Sequence, residues 1–179
     1  MPTEPDRTGN SRELLLMRHA KSSWGADVPS DFERPLAGRG ERDARRLGRW
    51  MLEAEVVPDH VVCSPARRVR ETVERVLAEL GREPGEVRWE ERIYEGTPGD
   101  LLAAIGGSPA SAERVLLIGH NPGLEILVSR LADSPPTLSD SGKLFPTAAL
   151  ARFRLGVPWR QVMAGTCTLA DLVRPKELD

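Results

Sequence analysis

The 179-residue chain contains three histidines, and two of them stand directly after short runs of apolar residues. Arg18-His19 follows Leu14-Leu15-Leu16-Met17, and Gly119-His120-Asn121 follows Val115-Leu116-Leu117-Ile118. A third run, Val61-Val62-Cys63, ends in Ser64-Pro65-Ala66-Arg67-Arg68. Neutral imidazole is a competent nucleophile, with an ordinary pKa of about 6.5 close to working pH. Guanidinium forks beside it can hold phosphoryl oxygens through charge-assisted bonds, roughly twice as strong as neutral ones. Histidine and arginine at these three positions therefore suit a phosphoryl dianion. Spacing alone does not choose between Arg67 and Arg68.

The apolar runs read as buried strands, because strands covered on both faces lose the polar alternation of a half-exposed sheet. Amphipathic helices are expected between them. From Gly40 to Glu53, Ala44, Leu47, Trp50, Met51 and Ala54 recur at three- and four-residue spacing. Ser64-Pro65 predicts a helix start, with serine as N-cap and proline in the first turn, and Asn121-Pro122 repeats the device. Further strands are expected at 87–90, 148–155 and 168–173, with a short helix at 100–105. Residues 1–12 read as a disordered tail, and 13–179 as a single domain. The loop from Asp133 to Lys143, rich in Ser and Pro, reads as mobile. Alternating strands and helices predict an α/β layered domain with a mostly parallel sheet. Ligands of such sheets bind beyond the carboxyl ends of the strands, where Arg18-His19, Ser64 to Arg68 and His120 fall.

Composition sets limits. Twenty-five basic residues against 27 acidic ones give a formal net charge of −2, which excludes a general binder of nucleic acid. Only Lys21, Lys143 and Lys176 are lysines, leaving 22 arginines; coding bias accounts for most of that excess. No stretch approaches the roughly 18 consecutive apolar residues of a membrane span, and the polar residues 1–12 resemble no signal peptide. Two cysteines, Cys63 and Cys167, make neither a disulfide framework nor a metal-ligand set. A cytoplasmic location is expected.

Rival chemistries fail on spacing. A cysteine phosphatase needs arginine six positions after its nucleophile, and from Cys63 that position is Val69. No G-x-x-x-x-G-K-[ST] loop is present, and Ser22-Ser23 lacks the G-x-S-x-G elbow of a hydrolase serine. Gly106-Gly107 reads as a helix stop. His60, at the start of a strand, belongs to the opposite edge of the sheet, and Cys63 reads as core.

Leu16-Met17-Arg18-His19-Ala20-Lys21-Ser22-Ser23-Trp24 resembles the R-H-G-type signature of the histidine phosphatase superfamily in its SixA-like form. Arg34-Pro35-Leu36, Arg39-Gly40, Ser64 through Thr72, Gly119-His120-Asn121-Pro122-Gly123 and Phe145-Pro146-Thr147 follow in the order that branch shows. The resemblance implies a three-layer α/β sandwich with a mostly parallel central sheet, similar to phosphoglycerate mutase. Only about 35 residues separate Leu80 from Val115, which leaves no room for a large cap domain. By position, the resemblance makes His19 the nucleophile that becomes phosphorylated, Arg18 and Arg68 its phosphate-binding arginines, and His120 the second histidine on the phosphoryl group. The mutase branch carries an acidic proton donor in an L-x-E segment that SixA-like members do not uniformly keep; Ile93-Tyr94-Glu95 is the best match here and makes Glu95 the candidate proton donor. Lys21, Ser64 and Asn121 are further candidate phosphate-binding residues. No metal or cofactor is implied. Ala20 replaces the usual glycine, and Asn121 after His120 removes the His-Asp pair of the acid phosphatase branch.

The expected reaction is a two-step transfer through a phosphohistidine on His19. An open, cap-free site favours phosphohistidine in a protein as substrate, since imidazole leaves more readily than an alkoxide. The alternatives are a small-molecule phosphomonoesterase acting on a sugar or nucleotide phosphate, and a non-catalytic phosphate-binding regulatory domain.

Overall fold

The computed structural model describes residues 11–178. Ten regular elements follow in chain order. They are β1 (Arg12–Arg18), α1 (Gly38–Glu53), β2 (His60–Cys63), α2 (Arg67–Glu79), β3 (Val87–Trp89), α3 (Pro98–Gly106), β4 (Arg114–Gly119), α4 (Gly123–Leu131), β5 (Leu150–Leu155) and β6 (Cys167–Val173). The six strands form one sheet in the order β3-β2-β4-β1-β5-β6. The first four run parallel, and β5 turns back against β1 and β6.

The continuous apolar runs have a simple physical cause. Successive strand residues face opposite sides, so Leu14 and Leu16 pack into one layer while Leu15 and Met17 enter the other. The first layer is completed by α3 and α4, through Leu101, Ile105, Leu124 and Leu127. The second is completed by α1 and α2, through Leu47, Met51, Val69 and Val73. This is the expected three-layer sandwich with a mostly parallel sheet.

Three boundaries differ from the sequence reading. Helix α2 begins at Arg67 with Ala66 as N-cap, so Ser64 does not cap it and its hydroxyl is free for other bonds. Helix α4 begins at Gly123 after Pro122, without a side-chain cap; Asn121 turns toward the segment at Phe145 instead. Ala54 ends α1 exposed rather than joining its buried face. Of the expected tail, residues 1–10 lie outside the described residues, and Arg12 already pairs with Leu155 in the sheet.

Topology brings the site together. Strand β4 lies between β1 and β2, with Arg18 opposite Gly119 and Cys63 opposite Ile118. The pairing carries on past the strand ends: His19 N–H donates to Gly119 O at 3.0 Å, and Ser64 N–H to Ile118 O at 3.2 Å. His19, Ser64 and His120 thus emerge side by side. The loop after β1 is pressed onto α1 at Gly40, where a Cβ would stand 2.1 Å from the Lys21 carbonyl oxygen; no side chain fits there.

Candidate active site

His19, Arg68 and His120 are 7%, 6% and 8% exposed, together at the carboxyl edge of the sheet. The His19 Nδ1 atom lies 2.8 Å from Ala20 O. A carbonyl only accepts, so Nδ1 carries the hydrogen and the lone pair resides on Nε2. Arg68 Nε–H points at that lone pair from 3.4 Å. The loop that presents His19 is held by Thr72 of α2, whose hydroxyl accepts from Ala20 N–H and donates to Arg68 O.

His120 takes the opposite tautomer. Arg68 Nη2 donates to its Nδ1 at 3.3 Å, leaving Nε2–H to donate to Ser64 Oγ at 2.8 Å. The serine expected at the helix cap therefore orients the second histidine. The two imidazole rings stand 5.2 Å apart between centroids, with the Tyr94 ring edge-on to His120 at 5.5 Å.

Arg68 is the common member, and its position in turn is fixed by Asp31. Arg68 Nη1 donates to Asp31 O at 2.7 Å and Nη2 to Asp31 Oδ2 at 3.0 Å. Tyr94 O–H and Arg34 also donate to this carboxylate, at 2.9 and 3.1 Å. Burial works to raise the Asp31 pKa, but the bonds from Tyr94, Arg34 and Arg68 outweigh it and hold it at about 2. Arg67, by contrast, is exposed and pairs with Glu71 at 2.8 Å, so of the two arginines only Arg68 contacts the histidines.

Arg18 donates from Nη1 to Phe145 O at 3.2 Å, while its Nε is buried without a partner. Asn121 donates to the same carbonyl at 2.9 Å and to Glu125 at 3.3 Å; its Oδ1 is buried and unpaired. Glu125 also accepts from Phe145 N–H, so this peptide is anchored from both sides. Lys21 is exposed and, among the described residues, makes no side-chain hydrogen bond or ion pair. Glu95 is likewise exposed, in left-handed backbone at φ 54°, with no hydrogen bond of its own among the described residues. Its chain neighbour Tyr94 packs against His120 and donates to Asp31. His60 sits at the far end of β2 as expected, and Cys63 is fully buried, which pushes its thiol pKa up.

Four residues to which the sequence reading gave no role shape the site: Asp31, Arg34, Tyr94 and Thr72. Asp31 falls in an irregular loop with no periodic signal; Arg34 and Thr72 lie inside recognised motifs, which carry no hint of the contacts the two side chains make. Tyr94 lies inside the Ile93-Tyr94-Glu95 match and is the only tyrosine in the chain.

Burial lowers the pKa of His19 to about 3, reinforced by the charges of Arg68 and Arg18, while the Ala20 bond works against it. His120 also falls to about 3, through burial first and Arg68 second. Both rings are neutral at working pH. Unfolded histidines bind protons below pH about 6.5, whereas the folded ones do so only near 3. The unfolded state therefore binds more protons in that window, and stability rises with pH across it. The midpoint of thermal unfolding is expected to fall as pH drops from 6.5 toward 4. His120→Gln should flatten that slope; an unchanged slope would show that the two rings are not buried neutral.

Among the described residues no group of three or more His, Cys, Asp or Glu side chains is placed to hold a metal ion, and no helix is long and apolar enough to cross a membrane.

An imidazole with an unprotonated Nε2 thus stands beside Arg68 and a second imidazole at the ends of parallel strands, an arrangement that suits a phosphoryl group. Residues 14–106 match the family model of the histidine phosphatase superfamily, branch 1. The chain is 32% identical over 164 residues to an uncharacterized protein of Mycobacterium tuberculosis strain H37Rv, covering 89% of this chain and all of that one. It is 30% identical over 152 residues to the phosphohistidine phosphatase SixA of Escherichia coli K12, covering 80% of this chain and 85% of that one. A solved structure of the protein histidine phosphatase SixA with tungstate superposes with a TM-score of 0.75 at 25% identity, covering 93% of this chain and 99% of that one. The chain belongs to the histidine phosphatase superfamily.

Proposed function

We propose that this protein is a phosphatase that works through a covalent phosphohistidine on His19, with phosphohistidine in a protein as its substrate. The observation that carries the reading is the His19 tautomer: Nδ1–H is committed to Ala20 O, and the unprotonated Nε2 faces the Arg68 N–H. That lone pair attacks phosphorus as the bond to the leaving atom breaks. Arg18 and Arg68 take the equatorial oxygens. His120, once the dianion raises its pKa, donates from Nδ1 in place of accepting from Arg68. Water then attacks the phosphohistidine, the P–Nε2 bond breaks, and inorganic phosphate leaves with His19 neutral again. Such catalysis is positioning and electrostatics, so a chelator is expected to leave the rate unchanged. Lys21, Ser64 and Asn121 serve as secondary phosphate-site residues in this scheme, Ser64 by orienting His120. The two buried free cysteines suit a reducing compartment, and we place the protein's work in the cytoplasm.

Glu95 is the proposed proton donor. An alkoxide leaving group needs that proton, and an imidazole leaving group needs it far less. Glu95→Gln should therefore slow a phosphomonoester by about 10²-fold while changing hydrolysis of a phosphohistidine protein little. Equal slowing of both would sink the leaving-group argument. The deciding experiment is a panel comparing a phosphohistidine protein with sugar and nucleotide phosphates. A kcat/KM highest for a sugar phosphate would overturn the assigned substrate.

A further inference from the structure

A chain with 22 arginines has three lysines, and all three line one cavity. Lys21, Lys143 and Lys176 come from distant stretches of sequence, yet they converge on a space of about 320 Å³. Arg18, Arg39 and Arg174 complete a set of six cations around it, against the three carboxylates Asp43, Asp140 and Glu177. Two of those carboxylates are spoken for, since Asp43 lies 3.4 Å from Arg39 and Glu177 lies 3.1 Å from Arg174. None of the lysines pairs with a carboxylate among the described residues. The surplus positive charge therefore faces the cavity, in a chain whose net charge is −2.

The walls are built structure. Arg174 is 4% exposed and clasps the carbonyl oxygens of Leu144 and Thr137, tying the segment after β6 to the 133–143 loop. That loop closes on itself through Ser139 N–H to Lys143 O at 2.8 Å and Lys143 N–H to Ser139 Oγ at 3.1 Å. The 133–143 loop thus forms a wall of the cavity and sets Lys143. Arg18 links the cavity to the nucleophile: it precedes His19 directly and lines the cavity as well, with its buried Nε unpartnered. Concave clusters of one sign focus the field on a ligand, and lysine offers rotatable donors on a flexible stem rather than a fixed fork.

We propose that this cavity is a second anion subsite, which takes a carboxylate or phosphate carried by the same molecule whose phosphoryl group reaches His19. The inference rests on the phosphatase reading above and sharpens its substrate class to molecules with two anionic groups. On a phosphorylated protein the second group is an Asp or Glu side chain near the phosphohistidine; on a small molecule it is a second phosphate or a carboxylate.

The test uses the full chain and the double variant Lys143→Gln/Lys176→Gln, which leaves His19, Arg18 and Arg68 unsubstituted. Two substrate pairs serve: phosphohistidine peptides differing only in a Glu or Gln beside the phosphorylated residue, and fructose 1,6-bisphosphate against fructose 6-phosphate. In at least one pair, the double variant is expected to lose about tenfold in kcat/KM on the anion-bearing member, mostly through KM, and less than about twofold on the other. Loss in the peptide pair places the second anion on a protein, and loss in the sugar pair places it on a small molecule. No selective loss in either pair overturns the subsite. Calorimetric binding of the same anion-bearing probes to His19→Ala, with and without the two lysine replacements, separates the two readings. Lysine-dependent binding without hydrolysis of any probe by the unmutated chain would remove the phosphatase reading and keep the subsite. Robust hydrolysis with lysine-independent binding would do the reverse.

Discussion

His19→Ala is expected to lower kcat for an aryl phosphate or a phosphohistidine peptide by about 10⁴-fold or more, the scale seen when a covalent nucleophile is removed. The fold should survive, because the ring is held by one backbone acceptor and the loop behind it is fixed independently by Thr72 and by the His19 N–H bond to Gly119 O. Two accompanying measurements give the result its meaning. The unmutated chain quenched during turnover should carry an acid-labile phosphoryl group that the variant lacks. The variant should also lose less stability on acidification, since one of the two buried neutral imidazoles has gone. A variant that hydrolyses at the unmutated rate would refute the nucleophile assignment. A variant that is inactive and unfolded at neutral pH would instead show that the ring is structural.

How far the sequence carried this picture depends on the range of each interaction. Buried strands were legible because a four-residue apolar run has few other uses, and β1 and β4 lie where Leu14 and Val115 indicated. Their ends put Arg18, His19 and His120 on one edge of the sheet. The caps misled. Ser-Pro and Asn-Pro are good helix starts by local propensity, but Ser64 Oγ gains a bond to His120 and Asn121 gains the Phe145 carbonyl. Tertiary partners outbid local capping at both positions, and both positions border the site. Asp31 was illegible for a related reason. It acts across 37 residues of sequence on Arg68, from a loop whose order comes from contacts rather than periodicity.

The lysines show the same limit from another side. Sequence counting reduced the arginine excess to a few chemically useful members, and treated the scarce lysines only as single residues. Their shared cavity depends on the loop after β1, the loop before Phe145 and the segment after β6 closing together. Nothing local in the chain announces that closure.

Arg68→Ala is expected to cost about 10³-fold in kcat, at the lower end of what an arginine on a transferring phosphoryl group supplies. In the resting structure one guanidinium contacts His19 Nε2, His120 Nδ1, Asp31 O and Asp31 Oδ2. Its loss removes a phosphate ligand, frees His120 to rotate about its bond to Ser64, and leaves Asp31 with one cation fewer. Arg68→Lys should recover little, because a single ammonium cannot reach both imidazoles and the Asp31 pair with a planar fork's geometry. Asp31→Asn should cost far less than either, about tenfold, since the residue-31 carbonyl remains to hold the fork and an amide oxygen can still accept from Nη2. The ordering carries the claim. If Asp31→Asn proved as damaging as Arg68→Ala, Asp31 would have to touch the reacting group itself. Full rescue by lysine would mean that Arg68 supplies charge alone and that the fork's aim is irrelevant.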